Sequence, residues 1–452
     1  MKARLQSWQQ DSLLREVLRS SGHLFSSNVV MAGLGFLQGI LIVRLVGMDG
    51  LGVVTTVTTL VSNIHRFLSF RMGEVVVRYL GEALEKGNRL QAAAVVRWSA
   101  AVEGITSLLA LGALLGLAPW ASRALLKDAS LIHLFWLYGL ALLGNIVYET
   151  SAGVLQSLRK FDRLARVSIV QSLLTFILVL AAFGLRQGVW MILLAYLAGK
   201  LLAGISLAAW AAFSLSKELG AGWGRLTTPQ PGLGRRMFSF AFNTNVNATV
   251  NLLMRDNIPL ILGWLRTQTE VGYFKLGLSI INLVMLPIDA LISPTYTEIN
   301  RAVAARQWSN TRRLLGRISL IAAAWTLIAG AGIAALGLWL LPVIYGSEAI
   351  PAYPAILLLL VGYGFANIFN WNRPLLLALD KPAFPVLVSF ACGVAALGFT
   401  FWLVPQHGYL MQAGLLSAYF VFSISIIVWR GLSEIRRLAR QDQPAAVDGT
   451  PV

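Results

Sequence analysis

Twelve long apolar stretches leave this chain few ways to fold. They run Leu24–Val46, Leu51–Phe70, Val96–Leu117, Leu131–Leu155, Val167–Leu185 and Val189–Leu215, then Phe238–Leu262, Val271–Ile292, Leu315–Leu341, Ala355–Leu377, Phe384–Val404 and Tyr409–Val428. A helix rising about 1.5 Å per residue needs roughly 20 such residues to cross about 30 Å of hydrocarbon. Inside lipid the backbone must satisfy its own hydrogen bonds, and runs this continuous suit helices, whereas barrel strands would alternate over about ten residues. A composition of 57% hydrophobic and 13% charged residues points the same way. The sequence predicts an all-α polytopic membrane protein of about 12 transmembrane helices.

The net charge of +17 raises the question of a nucleic-acid partner, which the placement of the 37 Lys and Arg residues answers. Most lie at the two ends and in one set of alternate loops. Arg71, Arg78, Lys86, Arg89 and Arg97 follow the second stretch, Arg159, Lys160, Arg163 and Arg166 follow the fourth, and Arg301, Arg306, Arg312, Arg313 and Arg317 follow the eighth. The opposite loops hold only scattered cations, Arg44, Arg123, Lys127, Arg186 and Arg266. This asymmetry places both termini in the cytoplasm and explains the basic balance without nucleic acid. With Cys392 alone and four His residues, neither a disulfide nor a metal cluster is expected, and no cofactor. No phosphate-binding loop, zinc motif or nucleophile elbow is present, so an enzyme is not expected.

The longest polar interval, 216–237, contains Pro229 and Pro231 and reads as a cytoplasmic connector between two halves. The expected organisation is a cytoplasmic segment 1–23, six-helix bundles 24–215 and 238–430, and a cytoplasmic tail 431–452. Faint self-similarity supports a repeat. Leu51-Gly52 matches Val271-Gly272, Arg97 matches Arg317, Pro119 matches Pro342, and the run Leu155–Lys160 matches Leu376–Lys381, each pair about 220 positions apart. Six spans is an even number, so the halves would be related by pseudo-twofold symmetry along the membrane normal. Such halves hold a substrate between them, or form a duplicated scaffold without a cavity.

Ionisable groups within hydrocarbon are costly and tend to face water or a partner. The basic ones are Arg66, Lys200, Arg255 and Lys275, of which Arg66 and Lys275 are near enough to span ends to snorkel. Asn243, Asn247, Asn251 and Arg255 recur every four residues and form one polar stripe on the seventh span. The stripe is either a wet wall toward a polyhydroxylated ligand or a set of interhelical hydrogen bonds. The acids are Glu103, Glu149, Asp256 and Asp289, open to a structural role or to coupling a proton or sodium ion. Gly33, Gly35 and Gly39 read as close-packing positions or as the lining of a mobile helix.

Several short motifs carry a resemblance to a known family. They are Val43-Arg44-Leu45-Val46-Gly47 with Gly50-Leu51-Gly52, and the segment Gly153–Phe161. Asp256 with Leu262-Gly263 and Val271-Gly272-Tyr273, and Tyr345-Gly346 with Pro351 and Pro354-Ala355, complete the set. Together they resemble the polysaccharide transporter, or oligosaccharide flippase, family of the multidrug, oligosaccharidyl-lipid and polysaccharide exporter superfamily, over roughly 24–432. The resemblance implies a flippase in a bacterial inner membrane. It would turn an undecaprenyl-pyrophosphate-linked oligosaccharide outward for O-antigen, capsule or exopolysaccharide assembly, coupled to H+ or Na+. Its partners would be the lipid-linked oligosaccharide and membrane lipids, with contact to a polysaccharide polymerase left open.

On that reading Arg66, Lys200, Arg255 and Lys275 would hold the pyrophosphate and Asn243, Asn247 and Asn251 the sugar, while Asp256, Asp289 and Glu149 would couple the ion. The alternatives are a multidrug or cation exporter, which would want unpaired carboxylates in an apolar cavity, and a lipid II flippase of the same superfamily, which would often carry two more C-terminal spans. A membrane enzyme would need a large loop bearing catalytic residues.

Overall fold

The computed structural model describes residues 12–220, 222–225, 232–241 and 257–442. Among these the regular elements are all helical, and nine helices are long and apolar enough to cross a membrane. The chain forms two compact units, Met1–Gly272 and Tyr273–Val452.

In the first unit α1 (Ser12–Leu68) carries the first two expected spans and bends at Gly47, whose φ of 71° favours a residue without Cβ. Next come α2 (Met72–Glu85), α3 (Arg89–Ala124), α4 (Ile132–Gly139), α5 (Tyr148–Ser157), α6 (Phe161–Gly184), α7 (Val189–Leu219) and α8 (Ile258–Leu265). Much of the expected seventh span falls on 242–256, outside the described residues. α9 (Gln268–Ala304) begins in the first unit and continues in the second. There α10 (Trp308–Tyr345), α11 (Ala352–Ile368), α12 (Asn372–Ala378) and α13 (Ala383–Gln441) complete the chain. α13 holds the last two expected spans and bends at Gly408, with φ 69°.

Helices overrun the apolar stretches at both ends, as α3 and α10 show, because hydropathy registers only the part that suits hydrocarbon. The interval after the second stretch, expected as a basic loop, is instead the amphipathic helix α2. It buries Met72, Val75, Val76, Tyr79, Leu80 and Ala83 on one face. Part of the connector packs there too. Trp223 and Leu233 lie against this core, and the Arg97 guanidinium donates to the Gly224 carbonyl at 3.2 Å.

The repeat is visible in how helices end. After α5, Arg159 takes φ 55°, its N–H donates to the Gln156 carbonyl, and the Lys160 N–H donates to the Leu155 carbonyl. After α12, Asp380 takes φ 57°, with the same bonds from Asp380 to Leu377 and from Lys381 to Leu376. Both are left-handed caps that satisfy terminal carbonyls. The turns after α2 and α9 repeat the pattern at Gly87 and Arg306.

Repeat-related residues also meet. A Cβ on Gly52 would strike the Gln268 carbonyl, and a Cβ on Gly272 would strike the Met48 carbonyl. Each member of one pair stands about 220 positions from its counterpart in the other, so the crossing is self-complementary. Gln268 reinforces the contact, since Thr56 Oγ1 donates to its Oε1 at 2.7 Å and its Nε2 donates to the Leu125 carbonyl. Gly33, Gly35 and Gly39 correct the expectation. A Cβ at any of them meets nothing within 4 Å among the described residues, so they are not close-packing glycines there.

Two expected spans are broken rather than continuous. In the fourth, α4 passes through a 3-10 turn, Leu140–Asn145, and α5 restarts at Tyr148. The restart exposes backbone N–H groups that lipid cannot satisfy. Glu103 of α3, 1% exposed, supplies the acceptors. Its Oε1 receives the Glu149 N–H at 2.7 Å and its Oε2 the Thr150 N–H at 2.8 Å. A negative group at a helix N-terminus is also favoured by the helix dipole.

In the tenth span α11 stops at Ile368 and α12 begins at Asn372. Here Ser319 Oγ donates to the Ile368 carbonyl at 3.0 Å, Trp371 Nε1 to Ser319 Oγ at 2.7 Å, and Asn367 Nδ2 to Thr326 Oγ1 at 2.9 Å. Glu103 and Thr326 share the spacing of Pro119 and Pro342, so one architectural break is served by different chemistry in each half.

Two outcomes follow. Gly52→Leu should abolish recovery of monodisperse protein in size-exclusion chromatography while Gly33→Ala leaves it unchanged; equal recovery of both would remove the crossing from the fold. Glu103→Ala leaves two buried N–H groups unmatched, which should cost on the order of 2–4 kcal/mol. Its melting temperature in detergent should fall well below that of Glu103→Gln, which keeps one acceptor, and wild-type melting of the Ala variant would rule out the cap.

Candidate functional site

Lys200 lies half-buried on α7. This helix runs close against the broken fourth span, because a Cβ on Gly204 would strike the Gly144 carbonyl and one on Gly144 would stand 2.9 Å from the Lys200 carbonyl. The approach sets Lys200 Nζ 5.9 Å from the ring centroid of Tyr148, the residue that opens α5. A cation at this distance is attracted by the ring face.

The end of α1 comes to the same place. His65 and Arg66 both lie within electrostatic range of Lys200. Arg66 is exposed, whereas His65 is 8% exposed and its buried Nδ1 has no hydrogen-bond partner among the described residues. Two turns of helix and one broken span thus gather two cations, an imidazole and a phenol. Guanidinium and ammonium groups only donate, so the cluster presents N–H groups suited to an anion with several acceptor oxygens.

The expected acids are placed differently. The Glu149 carboxylate lies near Ser69 and the Gly73 N–H at the first turn of α2, while its own N–H is held by Glu103. Asp289 is exposed on α9 in the second unit, two residues past Pro287, and Lys275 is half-buried on the same helix. Asn243, Asn247, Asn251, Arg255 and Asp256 lie outside the described residues. Asn257 follows them directly, and Asn63 Nδ2 donates to its Oδ1 at 2.6 Å, one turn from His65 and Arg66.

Of the cations singled out in the sequence, Arg66 and Lys200 are brought together. His65 and Tyr148 were not singled out, and nothing local marks them. His65 is one of four scattered histidines, and Lys200 and Tyr148 stand on helices far from it in the chain.

The family described as "Polysaccharide biosynthesis protein" matches residues 17–297. The inner membrane protein YghQ of Escherichia coli (strain K12) is 24% identical over 359 residues, covering 78% of this chain and 99% of that protein. Among solved structures, an inward-facing multidrug resistance MATE family transporter of the MOP superfamily is similar with a TM-score of 0.73 at 14% identity, over 91% of this chain and 96% of that one. Lipid II flippase MurJ in an inward closed conformation gives a TM-score of 0.69 at 12% identity, over 94% of each chain. At such identities these structures establish the fold. The family match, reaching from α1 into α9 and spanning more than half of the sequence, establishes the rest: the chain belongs to the polysaccharide biosynthesis protein family.

Proposed function

We propose that this protein is a flippase that carries an undecaprenyl-pyrophosphate-linked oligosaccharide from the cytoplasmic to the periplasmic face of a bacterial inner membrane, for O-antigen, capsule or exopolysaccharide assembly. The observation that carries the reading is that Arg66, near the end of α1, and Lys200 of α7 lie within electrostatic range of each other in one unit. Like charges drawn together are favoured by an anion, and a pyrophosphate offers charge and acceptors to both. Family membership, the inner-membrane relative and the likeness to a lipid II flippase support a lipid-linked substrate.

The substrate's lipid tail stays in the bilayer while its head group passes through the protein. Two six-span bundles, 24–215 and 238–430, joined by the connector 216–237, alternate access to the two faces, with 1–23 and 431–452 in the cytoplasm. The recurring helix caps and the paired broken spans support such a duplication. Arg255 and Lys275 extend the anion path, Asn243, Asn247 and Asn251 contact sugar, and an H+ or Na+ gradient acting on Asp256, Asp289 or Glu149 drives the cycle. A proton on Glu149 would remove its charge from the first turn of α2, which ties ion binding to the position of that helix. An exporter of cationic compounds would need carboxylates free to meet its substrate, yet Glu103 is engaged by backbone N–H groups and Glu149 lies near the Gly73 N–H.

Losing one charge-assisted contact to phosphate costs about 1.5–3 kcal/mol, or roughly ten- to hundredfold in affinity. Lys200→Ala and Arg66→Ala should therefore each lower surface glycan about tenfold or more at normal protein level, with Lys200→Arg retaining most of it. Wild-type surface glycan in both Ala variants would refute the assignment.

A further inference from the structure

The last helix outruns the part of it that suits hydrocarbon. Its apolar stretch ends at Val428, whereas α13 continues to Gln441. Phe422, Ile426, Trp429, Ser433, Arg436 and Arg440 follow one another at three or four residues and so share one face of this helix. Gly431 and Ile435 are buried on the opposite side, which turns the shared face away from the protein. Along it the exposed side chains pass from Phe422 and Ile426, through Trp429, to Arg436 and Arg440. That is the order of one lipid leaflet read outward: apolar tails, the interface that favours Trp, then charged headgroups. At 1.5 Å per residue Arg436 stands about 10 Å beyond Trp429, and helix side chains tilt toward the N-terminus, so its guanidinium reaches back to headgroup level.

Ser433, Arg436, Arg437, Arg440 and Gln441 line a groove of about 410 Å³ at this place. Its positive charge is in excess. Glu434 takes Arg437 at 2.9 Å and Lys381 at 2.8 Å, and Asp442 takes Arg306 at 2.9 Å. Among the described residues Arg436 and Arg440 form no ion pair, and the sequence beyond Asp442 brings one further acid, Asp448, against the two of them. Membrane topology alone does not require such a pair. α7, which closes the first six expected spans, ends on Ser216-Lys217-Glu218, one cation beside one acid.

We infer that Arg436 and Arg440 hold the phosphodiester of an anionic phospholipid whose tails lie along Phe422 and Ile426, with Ser433 and Gln441 donating to headgroup oxygens. Guanidinium groups match phosphate oxygens in both charge and geometry. The ligand is a lipid rather than a soluble phosphate because the basic groove continues the face that the bilayer covers. This site does not rest on the function proposed above, and its test involves no transport.

The full chain is placed in bilayers mixing phosphatidylglycerol with phosphatidylcholine, one of the two carrying bromine on its tails as a contact quencher. The part of the tryptophan emission that Trp429→Phe removes is followed, and exchanging the brominated lipid gives the preference of that spot for either one. Wild type should prefer phosphatidylglycerol. Arg436→Gln and Arg440→Gln, both at exposed positions, should each lower the preference about fivefold, and the double variant should lose it. Arg312→Gln and Arg313→Gln supply the control, since these exposed cations begin α10 at the same end, where Trp308 Nε1 donates to Asp442 at 2.7 Å. They should leave the preference unchanged, and an equal fall would reduce the site to a diffuse field and overturn it. No preference in wild type, or none lost in the double variant, overturns it as well. Displacement of phosphatidylglycerol by an equal concentration of inorganic phosphate would give the groove to a soluble ligand instead.

Discussion

A backbone that breaks inside a membrane must find partners for the N–H and C=O groups it frees, because hydrocarbon supplies none. Glu103 meets that demand in the fourth span by taking the N–H groups of Glu149 and Thr150 on its two carboxylate oxygens. The neighbouring geometry follows from this contact. With α5 started at Tyr148, its first turn presents Tyr148 to Lys200 and places Glu149 near Ser69 and the Gly73 N–H. A continuous fourth span would have needed no carboxylate at this depth and would have given the α1 and α7 cations no common edge.

The second unit meets the same demand without charge. Ser319, Trp371, Asn367 and Thr326 close the break between α11 and α12 with neutral hydrogen bonds. Such bonds avoid the cost of removing a carboxylate from water. The difference matters for function, since a carboxylate cap can be weakened by a proton and a hydroxyl or amide cap cannot. A duplicated framework has thus placed titratable chemistry at the break in the first unit and neutral chemistry at that in the second. Arg66, Lys200 and His65, which lie within electrostatic range of one another, stand beside the first of these.

Close helix crossings supply the rigidity that such a cluster needs. Where Gly52 meets Gln268 and Gly272 meets Met48, backbones touch without side chains between them, and contacts of that kind fix both spacing and register. The Gly144–Gly204 contact does the same between the fourth and sixth spans, and it is this spacing that brings Lys200 over Tyr148.

The sequence by itself determined the membrane class, the approximate place of most spans and the faint repeat near 220 residues that pairs Gly52 with Gly272, though not that these glycines lie at a crossing. These properties are written in local hydropathy and in matching short runs, which need no knowledge of neighbours in space. It also showed that Arg66, Lys200, Glu103 and Glu149 carry charge at depth. Only the tertiary structure decided their partners. Glu103 reaches residues 46 and 47 positions away, Lys200 stands over the Tyr148 ring and within electrostatic range of Arg66, and Gly52 meets the Gln268 backbone while Gly33 meets no described residue. The breaks at Asn145 and Ile368 were hidden for a related reason. An apolar run reads the same whether its helix is whole or interrupted, and what permits the interruption is an acceptor or donor held out by another helix.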